Sequence, residues 1–220
     1  IDGDNPNTGG TNRNLTVNNT TTTTVIANSC IRIATAATNV TSADNITIKN
    51  CILNGNVTSG NASGITSTTG SSNSSFGIYC GGNGGATATD APTAITSVTT
   101  NTAPSGTTIN NLTIDNNTIN QCARAIVFNG AVATVAPGTT TITNNLGTTI
   151  TAIETVGAIG GAMNISNNTI TNIVNNASSA CNGIQLASAT TTYTLSGNII
   201  TNVRANSSSC SGITSSTTAT

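Results

Sequence analysis

The amino-acid sequence predicts an all-β fold built from a repeated unit. Residues 111–120 (NLTIDNNTIN) recur at 163–172 (MNISNNTITN) and 193–202 (YTLSGNIITN), with a shorter copy at 46–54 (ITIKNCILN). Each copy alternates apolar and polar residues, turns through an Asn-rich corner and ends on a second short apolar step. Period-two alternation is typical of a half-buried strand, and self-similarity at about 20–50 residues is typical of solenoids. The sequence therefore predicts a single-stranded parallel β-helix.

A second element follows most copies of this unit. It begins with Gly-Ile or Ala-Ile, at residues 77–79, 125–128, 183–186 and 212–214. Partial copies of the first element start at Leu15 and Thr140. We therefore expect one solenoid domain over residues 1–220, with about six coils and loop insertions at about 55–75 and 81–109. No helix is expected, because no segment has a 3.6-residue apolar period.

Stacking these units predicts columns of like side chains. The columns expected inside the solenoid are Leu112, Met163 and Tyr193, and Ile114, Ile165 and Leu195. The column expected at the corner is Asn117, Asn168 and Asn198. Asn tolerates left-handed backbone angles, and stacked amides bond to one another along the axis of other stacked sheets. The sequence therefore predicts an asparagine ladder.

The composition is nearly free of charge. Asp, Glu, Lys and Arg make up 5% of the chain, the net charge is −1, and there is no His or Trp. Typical soluble domains are about 25% charged. A Thr/Asn/Ser/Gly-rich composition also occurs in disordered chains, but the periodic apolar residues favour a narrow core shared between coils. The scattered basic residues argue against nucleic-acid binding, and no apolar run approaches the roughly 20 residues that span a bilayer.

The cysteines predict one crosslink and an oxidising compartment. The chain has 6 cysteines, an even number. Cys181 and Cys210 share a Ser-x-Cys-x-Gly-Ile frame, 29 residues apart. Stacked in neighbouring coils, their Cα atoms would lie about 5 Å apart, within the disulfide range. The pairing of the others stays open, with buried free thiols as the alternative: Cys30, Cys51, Cys80 and Cys122.

These units resemble the right-handed parallel β-helix repeats of large secreted bacterial surface proteins, above all those exported by type IX secretion. The likeness rests on residues 1–3 (IDG), 13–17 (RNLTV), 77–79 (GIY) and 111–119 (NLTIDNNTI), and it covers nearly the whole chain. It implies a right-handed β-helix. It implies little about function, because the same fold carries lyases, hydrolases, adhesins and fibres.

Enzymes of this fold that degrade polysaccharides resemble one another in grouping carboxylates with a Lys or Arg outside one sheet. Acid–base catalysis on sugars usually needs two carboxylates roughly 5–10 Å apart. In the expected register no two of the acids share a column: Asp2, Asp4, Asp44, Asp90, Asp115 and Glu154. The outward positions expected on the second element include no acid: Arg32, Tyr79, Val127, Gln185 and Thr214. We therefore expect no catalytic residue and no cofactor.

One weak metal candidate lies near the start of the sequence. Asp2, Asp4 and Asn7 have closely spaced side-chain oxygens, which calcium prefers. The acidic residue that closes a familiar calcium loop is missing, and Asp and Asn in a Gly/Pro-containing segment usually form turns. The expectation is therefore a turn, with calcium as the alternative.

An outward column of threonines is also expected. Its members are Thr16, Thr47, Thr113, Thr141 and Thr194, interrupted by Asn164. Ice-binding solenoids resemble one another in carrying two such columns as Thr-x-Thr, and only one is clear here. The simpler interpretation is that β-branched residues pack well on a strand.

These observations favour a non-enzymatic extracellular structural solenoid, a building block of a surface fibre or filament or of an adhesin stalk. The alternative is a carbohydrate-binding or polysaccharide-processing β-helix, with ice binding behind it. Expected partners are a second copy stacked head to tail, an adjoining solenoid of a longer chain, or surface glycans, because terminal coils expose unpaired strand edges and the sequence offers no capping helix. Glycosylation stays open, as does whether residues 1–220 are a whole subunit.

Overall fold

The fold is taken from a computed structural model of the chain. It describes residues 1–4, 10–20, 28–36, 42–55, 75–84, 95, 102–104, 107–130, 134–135, 141–147, 150–156, 162–175, 180–186, 192–206 and 208–215. These residues contain β-strands and no helix. Every pairing between their strands is parallel.

Two large sheets contain six strands each. Sheet one consists of β1 (Leu15–Asn18), β4 (Cys51–Asn54), β7 (Thr118–Asn120), β10 (Thr141–Gly147), β13 (Thr169–Asn175) and β16 (Ile199–Ala205), in that order. Sheet two consists of β2 (Asn28–Thr35), β5 (Ser75–Gly82), β8 (Arg124–Asn129), β11 (Ile150–Val156), β14 (Cys181–Leu186) and β17 (Cys210–Ser215), also in that order.

Two smaller sheets complete the fold. Sheet three consists of β9 (Thr134–Val135), β12 (Ala162–Ser166) and β15 (Thr192–Ser196), and sheet four of β3 (Thr47–Lys49) and β6 (Thr113–Asp115). Asp2 adds an isolated parallel bridge to Lys49.

The strand order repeats with a period of three along the chain, because within every sheet each strand pairs with the strand three elements later. We call each group of three successive strands a tier. Tiers 2 to 6 are β3–β5, β6–β8, β9–β11, β12–β14 and β15–β17. Tier 1 consists of the Asp2 bridge, β1 and β2. The predicted all-β class and parallel strands are confirmed, and the topology is compatible with a β-solenoid.

The core is organised as columns of aliphatic residues that cross all tiers. One register position of sheet two holds isoleucine six times: Ile31, Ile78, Ile126, Ile153, Ile184 and Ile213. One position of sheet one holds Val17, Leu53, Ile119, Ile170 and Ile200, in tiers 1, 2, 3, 5 and 6. Full burial of one such side chain contributes about 1.5–3 kcal/mol. A narrow core therefore suffices, because each tier covers the next.

Corners between strands depend on asparagine. Eight non-glycine residues among those described have positive φ: Asn45, Asn50, Asn111, Asn116, Gln121, Asn167, Asn172 and Asn202. Seven of them are Asn, which tolerates this left-handed region better than other side chains. Gly197 occupies the position of Asn167 one tier later, with φ of 63°. The predicted Asn corner is confirmed, and its cause is local backbone preference.

The second predicted insertion, 81–109, begins too early. Gly81 and Gly82 belong to β5, and the buried Asn83 donates its backbone N–H to the carbonyl oxygen of Thr35 at 2.7 Å. Pairing with β2 extends the strand through a glycine pair that the sequence alone marks as a turn. The first predicted insertion lies outside the described residues, apart from its two ends.

The register of tiers 1 and 4 differs from the expected one. Ile142 pairs with Ile119, and Val17 pairs with Leu53. Ile142 and Val17 therefore belong to the second apolar step of the unit. The expected threonine column is therefore wrong. Thr16 and Thr141 lie in sheet one, while the other members lie in sheets three and four: Thr47, Thr113 and Thr194. Both steps of the unit read apolar-x-apolar or Thr-apolar, so local sequence cannot distinguish them.

The isoleucine column of sheet two generates a stability prediction. We expect Ile126→Ala to lower the free energy of unfolding by about 2–5 kcal/mol, because Ile126 is 3% exposed and the substitution leaves a cavity. Ile199→Ala removes the same atoms at a site that is 57% exposed and should cost within about 0.5 kcal/mol. Urea unfolding at low protein concentration measures both, and equal losses would contradict the column.

Candidate functional site

Buried asparagine amides join successive tiers at one corner. The Asn117 amide donates to the carbonyl oxygen of Ile48 at 2.9 Å and accepts from the backbone N–H of Cys51 at 3.0 Å. Both partners lie one tier earlier, and Asn117 is fully buried. A single amide thus supplies an acceptor and a donor to backbone groups at a corner, where strand pairing is interrupted.

Asn198 repeats this arrangement in tier 6. Its amide donates to the carbonyl oxygen of Ile165 at 2.6 Å and accepts from the backbone N–H of Asn168 at 3.0 Å. Asn168 and Asn198 also bond amide to amide at 3.0 Å, so this part of the predicted ladder is present. Asn117 lies at the same register position two tiers before Asn168, and its own amide bonds back to tier 2. The residue between them in tier 4 lies outside the described residues.

Exterior asparagines form further ladders that the sequence reasoning missed. The amide-to-amide bonds run from Asn54 to Asn18, Asn120 to Asn54, Asn111 to Asn45, Asn116 to Asn50 and Asn202 to Asn172. In each of these bonds the donor lies in the later tier. The sequence does contain a signal for these ladders: pairs of Asn recur at one separation, such as 66 residues between tiers 2 and 3.

Charged residues fix the direction of one ladder. The carboxylate of Asp2 can only accept, and it accepts from the Asn50 amide at 2.7 Å. Arg13 can only donate, and its Nη2 donates to Oδ1 of Asn116 at 2.7 Å. The amides of Asn50 and Asn116 are therefore oriented from both sides. Arg13 precedes β1 yet reaches tier 3, so this network fastens the first three tiers together.

The predicted calcium candidate is part of this network. Asp2 Oδ2 lies 3.0 Å from Lys49 Nζ, and Oδ1 also accepts the backbone N–H of Asp4 at 3.1 Å. The hydrogen bond from Asn50, then those from Asp4 and Lys49, lower the pKa of Asp2 to about 2. Asn7 lies outside the described residues. Within the described part of the chain, no group of three His, Cys, Asp or Glu side chains is placed to hold a metal ion.

Cys181 and Cys210 form the predicted disulfide. The two residues pair across β14 and β17, and their Cα atoms are 4.8 Å apart. The bond ties the last tier to the one before it. The four remaining cysteines are free thiols, as in the alternative given above: Cys30, Cys51, Cys80 and Cys122. Burial raises the pKa of Cys30 to about 11, so this thiol is a poor nucleophile at neutral pH.

An acid lies on the outer face of sheet two, contrary to the expected register. Glu154 pairs with Val127 and Gln185, so it occupies the outward column that the sequence appeared to leave without a carboxylate. Its Oε2 lies 2.6 Å from Nε of Arg124, and the two side chains are 5% and 1% exposed. No second carboxylate occurs in the described strands of this sheet, and general acid–base cleavage of a glycoside usually requires a pair.

The rest of this outer face is divided between an apolar cluster and a polar row. The apolar cluster consists of Phe76, Tyr79, Ile95 and Val127, with Val156 packed against it. The Tyr79 hydroxyl accepts from the Asn129 amide at 2.7 Å, and burial raises the pKa of Tyr79 to about 12. This aromatic ring is fully buried and therefore does not offer a stacking surface to a sugar.

The polar row crosses tiers 4 to 6. The Gln185 side-chain oxygen accepts from Thr151 at 3.4 Å and from the Asn182 amide at 2.9 Å. Thr214 in turn donates to the Asn182 oxygen at 2.9 Å. Like the asparagine ladders, this row uses neutral side chains to join neighbouring tiers.

The first and last tiers leave apolar side chains exposed in the part of the chain that the structure describes. Four large hydrophobic residues are exposed among those described, and all lie in tier 1 or tier 6: Ile1, Leu15, Ile199 and Ile213. A methyl group added to Gly183 in tier 5 would lie 2.6 Å from the carbonyl oxygen of Gly212, whereas the nearest described atom to one added to Gly212 is Cγ2 of Ile200 at 4.0 Å. Tier 6 thus covers this position in tier 5, and no described residue covers the same position in tier 6.

Comparison with known proteins identified no relative: no family model, curated protein or solved structure matches this chain. The described residues include no helix long and apolar enough to cross a membrane.

The corner amide of Asn117 generates a prediction. We expect Asn117→Ala to cost about 1–3 kcal/mol for each of the two buried backbone groups left without a partner. Asn54→Ala removes an amide from a partly exposed ladder, where water replaces the lost bonds, and should cost less. Urea unfolding of both variants tests this ranking, and a larger loss for Asn54→Ala would contradict it.

The disulfide generates a second prediction, which concerns the last tier. Replacing both Cys181 and Cys210 with Ser should lower stability by roughly 3 kcal/mol, because the bond closes a loop of 29 residues. Hydrogen exchange should accelerate most in β15 to β17 and least in β8. The free thiol of Cys80 provides the control: Cys80→Ser should not accelerate exchange selectively in the last tier. Uniform acceleration of hydrogen exchange across the double variant would contradict a stabilising effect of the disulfide confined to the last tier.

Proposed function

We propose that the chain is a non-enzymatic, extracellular structural β-solenoid. In this proposal the tiers are about six coils of a single-stranded right-handed parallel β-helix. The rod serves as a building block of a surface fibre or filament or as the stalk of an adhesin.

The observation that carries the proposal is the continuity of columns from tier 1 to tier 6. The six isoleucines of sheet two, the aliphatic column of sheet one and the amide ladders all connect one tier to the next. Connections of this kind favour a rod whose stability is a sum of interfaces between neighbours. A rod of this construction suits a spacer or fibre role.

The charged groups support a structural role as well. Glu154 is engaged by Arg124, Asp2 by Lys49 and Asn50, and Asp44 accepts from Thr108 and from the backbone N–H of Asn110. Each carboxylate links separate segments of the chain. An extracellular location is supported by the Cys181–Cys210 disulfide, since such bonds persist in oxidising compartments.

The test combines shape and activity. Small-angle scattering and electron microscopy of residues 1–220 should give a unit about 25–30 Å along the stacking axis, from six strand spacings of about 4.8 Å. Incubation with a panel of acidic and neutral polysaccharides should release no reducing or unsaturated ends. Cleavage that Glu154→Gln abolishes, while the same substitution leaves the circular dichroism spectrum unchanged, would overturn the non-enzymatic proposal.

A further inference from the structure

We propose that the open face of tier 6 docks onto the open face of tier 1 of a second copy of this chain, head to tail. The inference rests on the proposed structural role and names the partner for it. The interface that would form is the one already present five times between successive tiers within the chain.

Among the described residues, the strands of both faces are paired on one side only. All three strands of tier 6, β15, β16 and β17, are the last members of their sheets, and β1 and β2 are the first members of theirs. Natural sheets protect such edges with lysine, proline or inward charges. The described strands of tier 6 contain no Pro or Lys and one charged residue, Arg204. The described edges of tier 6 therefore carry little of this protection.

The aliphatic columns match across the junction. The column of six isoleucines ends at Ile213, which is 49% exposed, and begins at the partly buried Ile31. The column of sheet one ends at Ile200 and begins at Val17, both partly buried. A second copy stacked in register would place Ile31 on Ile213 and Val17 on Ile200. It would cover apolar surface that one copy leaves in water.

The polar ladders make the two faces complementary rather than alike. Exterior amides donate toward the earlier tier, so the ladder of Asn54 and Asn18 leaves the Asn18 Nδ2 as an open donor at the tier 1 end. Thr201 occupies the same column in tier 6, and neither group has a hydrogen-bond partner among the described residues. Head-to-tail stacking brings donor to acceptor. Tail-to-tail stacking would bring two hydroxyls together and antiparallel strands into contact.

One position limits the strength of this junction. Leu15 occupies the register position of Asn117 and Asn198, so tier 1 has no corner amide to bridge back to the preceding tier. The junction between copies therefore lacks the two buried hydrogen bonds that Asn117 makes within the chain. Stacking should accordingly be weaker than the internal interfaces that Asn117 and Asn198 bridge, and reversible on dilution.

The first experiment measures assembly of residues 1–220 by sedimentation and light scattering across a concentration series. The wild-type chain should form a reversible series of stacked species. Ile213→Asp should raise the stacking dissociation constant by about 100-fold or more, because the carboxylate would be buried unpaired in an aliphatic column. Thr194→Asp adds the same charge to the same tier on its exposed outer side and should stack like wild type.

The second experiment tests direction and does not depend on the stability of the first variant. Asn18→Cys and Thr201→Cys are exposed substitutions that head-to-tail stacking would place about 5 Å apart between Cα atoms, within disulfide range. The double variant should form a series of reducible multimers under mild oxidation. Neither single variant should form these multimers. Crosslinking in Thr201→Cys alone would indicate tail-to-tail contact and overturn the proposal.

The outcomes separate this inference from the structural role. A wild-type chain that stays monomeric at every concentration, yet shows a sheet spectrum and the expected dimensions, overturns stacking and leaves the rod in place. A chain that lacks those dimensions overturns both. Concentration-dependent assembly that Ile213→Asp and Thr194→Asp affect equally also overturns stacking through the tier 6 face.

Discussion

The structure depends on side-chain amides that hydrogen-bond from one tier to the next at the corners. The strands are short, several of them with three residues, so each tier has corners at which backbone groups lose their strand partners. Asn117 and Asn198 satisfy these groups from a neighbouring tier, and the exterior ladders hold the left-handed corners in line. An unsatisfied buried backbone group costs about as much as a lost hydrogen bond, so the corners that Asn117 and Asn198 bridge depend on these amides.

A second constraint follows from the narrow interior. Aliphatic columns fill it, and each tier buries the one before it, so a chain with 35% hydrophobic and 2% aromatic residues still forms a continuous core. The same arrangement leaves the last tier exposed on one side. The partly exposed residues of β15 to β17 reflect this, and the Cys181–Cys210 bond is the covalent tie that holds this tier in place. The open ends and the continuous columns thus have one cause.

The few charged residues also join separate segments of the chain. Asp2 and Arg13 close the two ends of an amide ladder, and Glu154 pairs with Arg124 beneath the outer surface of sheet two. A catalytic carboxylate requires access to substrate and a matched partner, whereas these groups are engaged by protein donors. The structural role proposed here rests on that use of charge, together with the column continuity.

The sequence by itself determined the all-β class, the Asn corners and the Cys181–Cys210 pair. These features are local or repeat in one frame: alternation defines a strand, Asn favours positive φ, and Ser-x-Cys-x-Gly-Ile occurs twice. Only the tertiary structure decided the register of tiers 1 and 4, the place of Glu154, the partners of each ladder and the burial of Tyr79. Both apolar steps of a unit look alike, and parallel pairing joins residues 23 to 66 positions apart, so the choice between them belongs to long-range packing.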